Sequence, residues 1–202
     1  MRNSSTELGN ETREPPSGGR HIESLDDITR EISDRRIHSE FGSWIEPEKS
    51  ALLRETPDEI ETNGNFEKAA RAHGIDDTEG LRGFATRPED PAHVRRMEDV
   101  ATRIATEGHE DLHRLTHPET LRETSENPAL KEFYEGVTEY LTQSSMDGLH
   151  EYLPGDVYPE QVEIARNLAG EVGDQALRDW FFKHELSHKM AEALDRLNPR
   201  IP

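Results

Sequence analysis

The stretch from Met97 to Leu115 leaves this chain little freedom. Met97, Val100, Ala101, Ile104, Ala105, Gly108, Leu112 and Leu115 recur at i, i+3, i+4 spacing, which predicts a helix that buries one apolar stripe. Pro118 is expected to close it. A second helix is predicted from about Pro128, with Leu130, Phe133, Tyr134, Val137 and Leu141 as its stripe. A third runs from Pro159 to Val172 on Val162, Ala165, Leu168 and Ala169. Gly173-Asp174 reads as a turn, with Asp174 capping a last helix that carries Leu177, Trp180, Phe181, His184, His188, Ala191 and Leu194.

The rest of the chain is less regular. Residues 1–20 hold turn formers and charges without apolar period and are read as a disordered tail. Residues 21–74 form an N-terminal helical segment. Ile22, Leu25, Ile28 and Ile32 set a helical period, and Trp44, Ile45, Leu52 and Leu53 add apolar surface. Asn63-Gly64 is a turn signal, followed by a short helix from Phe66 to His73 that ends at Gly74. Residues 81–86 and 92–96, flanked by Gly and Pro, are the one strand-like part of the chain. The expected fold is mostly α with a small β edge, its firm core within residues 75–198.

Composition narrows the function. Only 31% of the residues are hydrophobic, too few for a chain packed from end to end, which supports the disordered tail. The absence of cysteine removes disulfides, thiolate metal sites and cysteine nucleophiles. A formal net charge of −19 repels phosphate backbones, so no nucleic-acid partner is expected. No apolar run is long enough for a membrane helix, and the first twenty residues lack the apolar core of a signal peptide. The chain is therefore expected in the cytoplasm of its producer, or outside it by another export route.

Two segments carry the pattern His-Glu-x-x-His: His109-Glu110-Asp111-Leu112-His113 and His184-Glu185-Leu186-Ser187-His188. Residues four apart share a helix face, so each pair of imidazoles can reach one zinc ion, with the intervening Glu over a metal-bound water. A hydrolytic site needs a third protein ligand and one open position. His109 and His113 lie at the edge of their apolar stripe, where a cleft would be. His184 and His188 lie within theirs, and the 14 residues that follow leave no room for a separate ligand helix. The second pair is read as structural, partly buried histidines.

After His113 the chain reads Phe133-Tyr134-Glu135-Gly136-Val137-Thr138-Glu139-Tyr140, with 21 residues between His113 and Glu135. This segment resembles the third-ligand helix of the gluzincin metallopeptidases. The stretch Val157-Tyr158-Pro159-Glu160-Gln161-Val162, with Leu168 and Gly173, is similar to the tail of small bacterial gluzincin-like domains. The resemblance spans roughly residues 82–182 and implies a zincin-like metallopeptidase domain over 75–202. It implies that His109, His113 and Glu135 bind Zn2+, that Glu110 is the general base of peptide hydrolysis, and that Tyr158 serves as a donor to the tetrahedral intermediate. Glu139 would orient a ligand histidine. Asp111 departs from the family pattern, which has an uncharged residue there.

The partner expected on this reading is a protein or peptide substrate. A delivered toxin or effector, with a delivery apparatus or an immunity partner, is the sharper form of the expectation. The competing expectation is a metal-free acidic adaptor, virion component or DNA mimic, for which the first motif sits on an exposed acidic helix. A degenerate fold that binds zinc and cleaves nothing is a third. Arg95-Arg96 is either a substrate-carboxylate contact or a solvated strand end.

Overall fold

A computed structural model describes residues 24–147 and 158–197; Ile22 and the expected tail lie outside them. The described chain is mostly helical with one three-stranded sheet. Its helices are α1 (Leu25–Phe41), α2 (Pro47–Glu55), α3 (Asn63–Ala72), α4 (Val100–Leu115), α5 (Pro118–Glu126), α6 (Pro128–Ser145), α7 (Pro159–Val172), α8 (Asp174–Lys183) and α9 (His188–Leu197). The strands are β1 (Glu59–Glu61), β2 (Gly83–Phe84) and β3 (His93–Arg95), in the order β1-β3-β2, with β1 parallel and β2 antiparallel to β3.

The stripe folds as a helix in its C-terminal part: α4 starts at Val100, which is exposed, Met97 lies before it, and Ile104, Ala105, Gly108, Leu112 and Leu115 are buried, with α4 at the centre of the fold. Asp99 accepts from the Thr102 N–H and caps its start. Twelve of its sixteen residues are buried, so the helix carrying the first motif is not a solvated acidic face. The helices α1, α2 and α6 all pack on it. Gly108, a weak helix former, has a packing reason: a Cβ there would lie 2.4 Å from Met146 Cε and 3.2 Å from Ser33 Oγ. The main core joins Ile37 and Phe41 of α1, Leu112 and Leu115 of α4, Val137 and Leu141 of α6, and Trp180, Phe181 and Phe182 of α8. A smaller core of Phe66, Ala70 and Phe84 lies against the sheet.

Four local expectations are corrected. First, α1 faces inward through Thr29, Ser33, Ile37 and Phe41, while Leu25 and Ile28 are exposed. Thr29 serves the polar side of α4: its Oγ1 donates to Glu107 at 2.7 Å. Second, Asn63-Gly64 opens α3 instead of forming a turn. Third, α4 ends at Leu115 just before Pro118, as expected, but Pro118 also starts a helix, α5, because a proline at the first helical position loses no hydrogen bond. Fourth, the last helix is two helices. His184 adopts a left-handed conformation (φ 56°) that ends α8, and α9 begins at His188. The cap position of α8 is Gly173, and Asp174 instead accepts from the Tyr140 hydroxyl at 2.8 Å.

The two expected strands are present as β2 and β3, and β1 joins them unannounced. No helix among the described residues is long and apolar enough to cross a membrane.

Candidate metal centre

His109 and His113 leave the same face of α4, and α6 brings Glu135 across to them. The two Nε2 atoms are 3.1 Å apart. Glu135 Oε2 lies 3.6 Å from His109 Nε2 and 3.4 Å from His113 Nε2. A tetrahedral zinc with bonds of about 2.0–2.2 Å separates its ligand atoms by about 3.4 Å, so this triangle fits such an ion.

The outer nitrogens decide which atoms face inward. His109 Nδ1 meets Glu139 Oε2 at 3.1 Å, and Gln143 holds the other oxygen of Glu139 at 3.2 Å. His113 Nδ1 meets the Tyr134 hydroxyl at 2.8 Å. That hydroxyl lies 2.9 Å from Thr116 Oγ1, which donates onward to the Leu112 carbonyl. Both Nδ1 atoms thus act as donors, which leaves both Nε2 lone pairs facing one point. Two bare lone pairs at 3.1 Å repel unless a proton or a cation lies between them. The donor set of two imidazoles and a carboxylate is one that zinc takes.

The charges follow the same geometry. Burial acts against an imidazolium at His109, but the Glu135 and Glu139 carboxylates outweigh it and hold this histidine up at about 10. Burial acts against ionised Glu135, yet His113 and His109 hold its carboxyl well below the usual range. Glu110 is buried beside them. Burial pushes its carboxyl up against the opposing pull of His113 and His109, Glu135 adds to the rise, and the Ala85 backbone N–H works against it.

Tyr158 stands over this group. Its ring stacks on His109 with centroids 6.4 Å apart, and burial, then Glu135 and Glu110, push its hydroxyl up to about 12, so it keeps its proton as a donor. Its backbone is left-handed (φ 58°, ψ 50°) immediately before Pro159, a conformation that costs a non-glycine residue about 1–3 kcal/mol. His109, Glu110, His113, Glu135 and Tyr158 share a cleft of about 590 Å³, whose opposite wall is Gly83, Phe84, Ala85 and Thr86.

Asp111 does not crowd this centre. It lies in a separate seam with Asp58, where Arg114 bonds Asp58 at 3.2 Å and Asp111 at 3.3 Å and donates to the Thr56 carbonyl at 2.9 Å. Burial, and then its neighbour Asp58, raise the Asp111 carboxyl. The Asp111 charge is answered by a buried cation one turn along, Arg114.

The second motif builds nothing comparable. His184 Nδ1 lies 3.2 Å from Thr120 Oγ1, and His188 is exposed, so only the first of the pair is partly buried as expected. Arg95 donates to the Leu81 and Thr78 carbonyls and lies over the Phe66 ring, while Arg96 pairs with Asp26; neither lines the cleft. Tyr134 belongs to the core by burial, as its position predicts, but its hydroxyl also fixes His113. With Thr116 it is the part of the site that the sequence did not announce.

Compared with protein-family models, curated proteins and solved structures, the chain matches none.

Proposed function

We propose that this chain is a gluzincin-type zinc peptidase with a zincin-like fold over residues 75–202. The observation that carries the reading is the convergence of three ligand atoms whose outer partners, Glu139 and Tyr134, aim them at one point. Zinc held by His109, His113 and Glu135 supplies a Lewis acid that lowers the pKa of a bound water toward about 7.

The chain's own groups do the rest. Glu110, against the cleft wall and beside both histidines, takes the proton of the attacking water. It later passes that proton to the leaving amine. The Tyr158 hydroxyl donates to the oxygen that gains charge. Among the described residues strand β2 has one partner, β3, and its residues line the cleft, so an extended substrate lies beside Gly83 to Thr86.

The test is cleavage of a proteome-derived peptide mixture by the zinc-loaded protein, read by mass spectrometry. The wild-type chain should cut. Glu110→Gln should keep its zinc and lose about 10²-fold or more of the rate. An intact peptide mixture with zinc bound, or equal cutting by both proteins, would sink the proposal.

A further inference from the structure

Away from the cleft, the sheet holds a second group with the same ligand chemistry. Glu59 and Glu61 are two apart on β1 and share a face of the strand, and His93 on β3 is the direct partner of Glu59 in the parallel ladder. His93 Nδ1 lies 3.6 Å from Glu59 Oε2 and 3.4 Å from Glu61 Oε2. These are the separations at the cleft, where Glu135 lies 3.6 and 3.4 Å from its two histidines.

The atoms do not satisfy one another. His93 Nδ1 and Glu61 Oε2 are closed off from solvent, and neither makes a hydrogen bond among the described residues. Buried polar atoms left without partners are costly, and a cation would relieve the cost. The His93 ring cannot easily turn to find another partner. It is stacked on Phe84 with centroids 4.7 Å apart, and His73 lies against it at 5.5 Å. One ligand atom from each of Glu59, Glu61 and His93 lies within 4.8 Å of the other two, close enough for all three to hold one ion. Glu59 is half-exposed and leaves a way in.

We infer that Glu59, Glu61 and His93 bind a second zinc-type divalent cation. It ties β1 to β3, two strands 34 positions apart in register. Because β3 also pairs with β2, the ion braces the wall of the cleft. Its role is structural, and the inference does not depend on the peptidase reading.

The experiment is zinc content per chain after loading and washing with a weak chelator, measured by inductively coupled plasma mass spectrometry. Wild type should hold two equivalents, His113→Ala one, His93→Ala one, and the double variant none. Glu59→Gln, at a half-exposed position that need not disturb folding, should weaken the second equivalent at least tenfold. In His113→Ala, zinc should still raise the melting temperature. One equivalent in the wild type and none in His113→Ala would overturn this inference and leave the cleft site standing. One equivalent lost in His93→Ala and unchanged in His113→Ala would support this inference and overturn the cleft site. Two equivalents that both survive His93→Ala and Glu59→Gln would also overturn it.

Discussion

Replacing Gly136 with alanine tests how closely the cleft depends on packing one helix away. On an exposed helix, glycine to alanine stabilises by about 0.8–1 kcal/mol through backbone entropy. Gly136 is not such a site. A Cβ there would lie 2.4 Å from the Gln161 carbonyl oxygen and 2.5 Å from its carbon, both backbone atoms of α7. Ordinary contact begins near 3.4 Å, so α7 must retreat by about 1 Å, and overpacking of this kind costs about 1–3 kcal/mol. The pairing of α6 with α7 is the most extensive in the fold, so the retreat cannot be confined to one side chain. Subtracting the helix gain leaves a net loss of up to about 2 kcal/mol. Gly170, exposed on α7 with nothing within 4 Å of its Cβ position, is the control and should gain about 0.8–1 kcal/mol as alanine. Urea denaturation of both variants reads the difference. Moving α7 also moves Tyr158 at its start, so Gly136→Ala should lose turnover and Gly170→Ala should not. A Gly136→Ala protein stabilised as much as the control would refute the argument, because the helices would then not approach as described.

Other consequences are equally direct. His109 in the metal-free chain stands at about 10, above its unfolded value near 6.5, so its contribution to stability is full below about pH 6.5 and is lost as pH rises through 10. Zinc must displace that proton, so its affinity should rise about tenfold per pH unit over the same window, with about one proton released per ion by calorimetry in two buffers. Arg114→Ala would leave Asp58 and Asp111 buried together without their cation, and should cost about 3–5 kcal/mol in chemical denaturation. Tyr158→Phe keeps the stacking on His109 and removes the donor. It should lower kcat about 10²–10³-fold with KM unchanged, and an equal rise in KM would speak against the assigned role.

Much of the helical frame was legible because its signals are local. The stripe of α4, the stripe of α6 and the spacing from His113 to Glu135 are periodicities within one or two helices. What the sequence hid depends on partners far along the chain. Strand β1 is two glutamates around Ile60, with no strand signature of its own, and exists because β3 pairs with it. Helix α5 was masked by a proline whose role depends on whether the chain starts or stops there. The inward face of α1 includes the Thr29 hydroxyl that answers Glu107, which no hydrophobic pattern reveals. The break at His184 rests on a left-handed residue other than glycine, and no glycine or proline marks it. At the centre itself the three residues that converge were readable, while Tyr134 looked like core because its hydroxyl bond to His113 crosses from α6 to α4.

The central claim is tested most directly by a crystal structure of the zinc-loaded chain with anomalous data at the zinc edge. The account predicts a peak bonded to His109 Nε2, His113 Nε2 and Glu135 Oε2 at about 2.0–2.2 Å, with a fourth position open to the cleft. No peak there in protein that holds zinc, or Glu135 turned away from the two histidines, would contradict it.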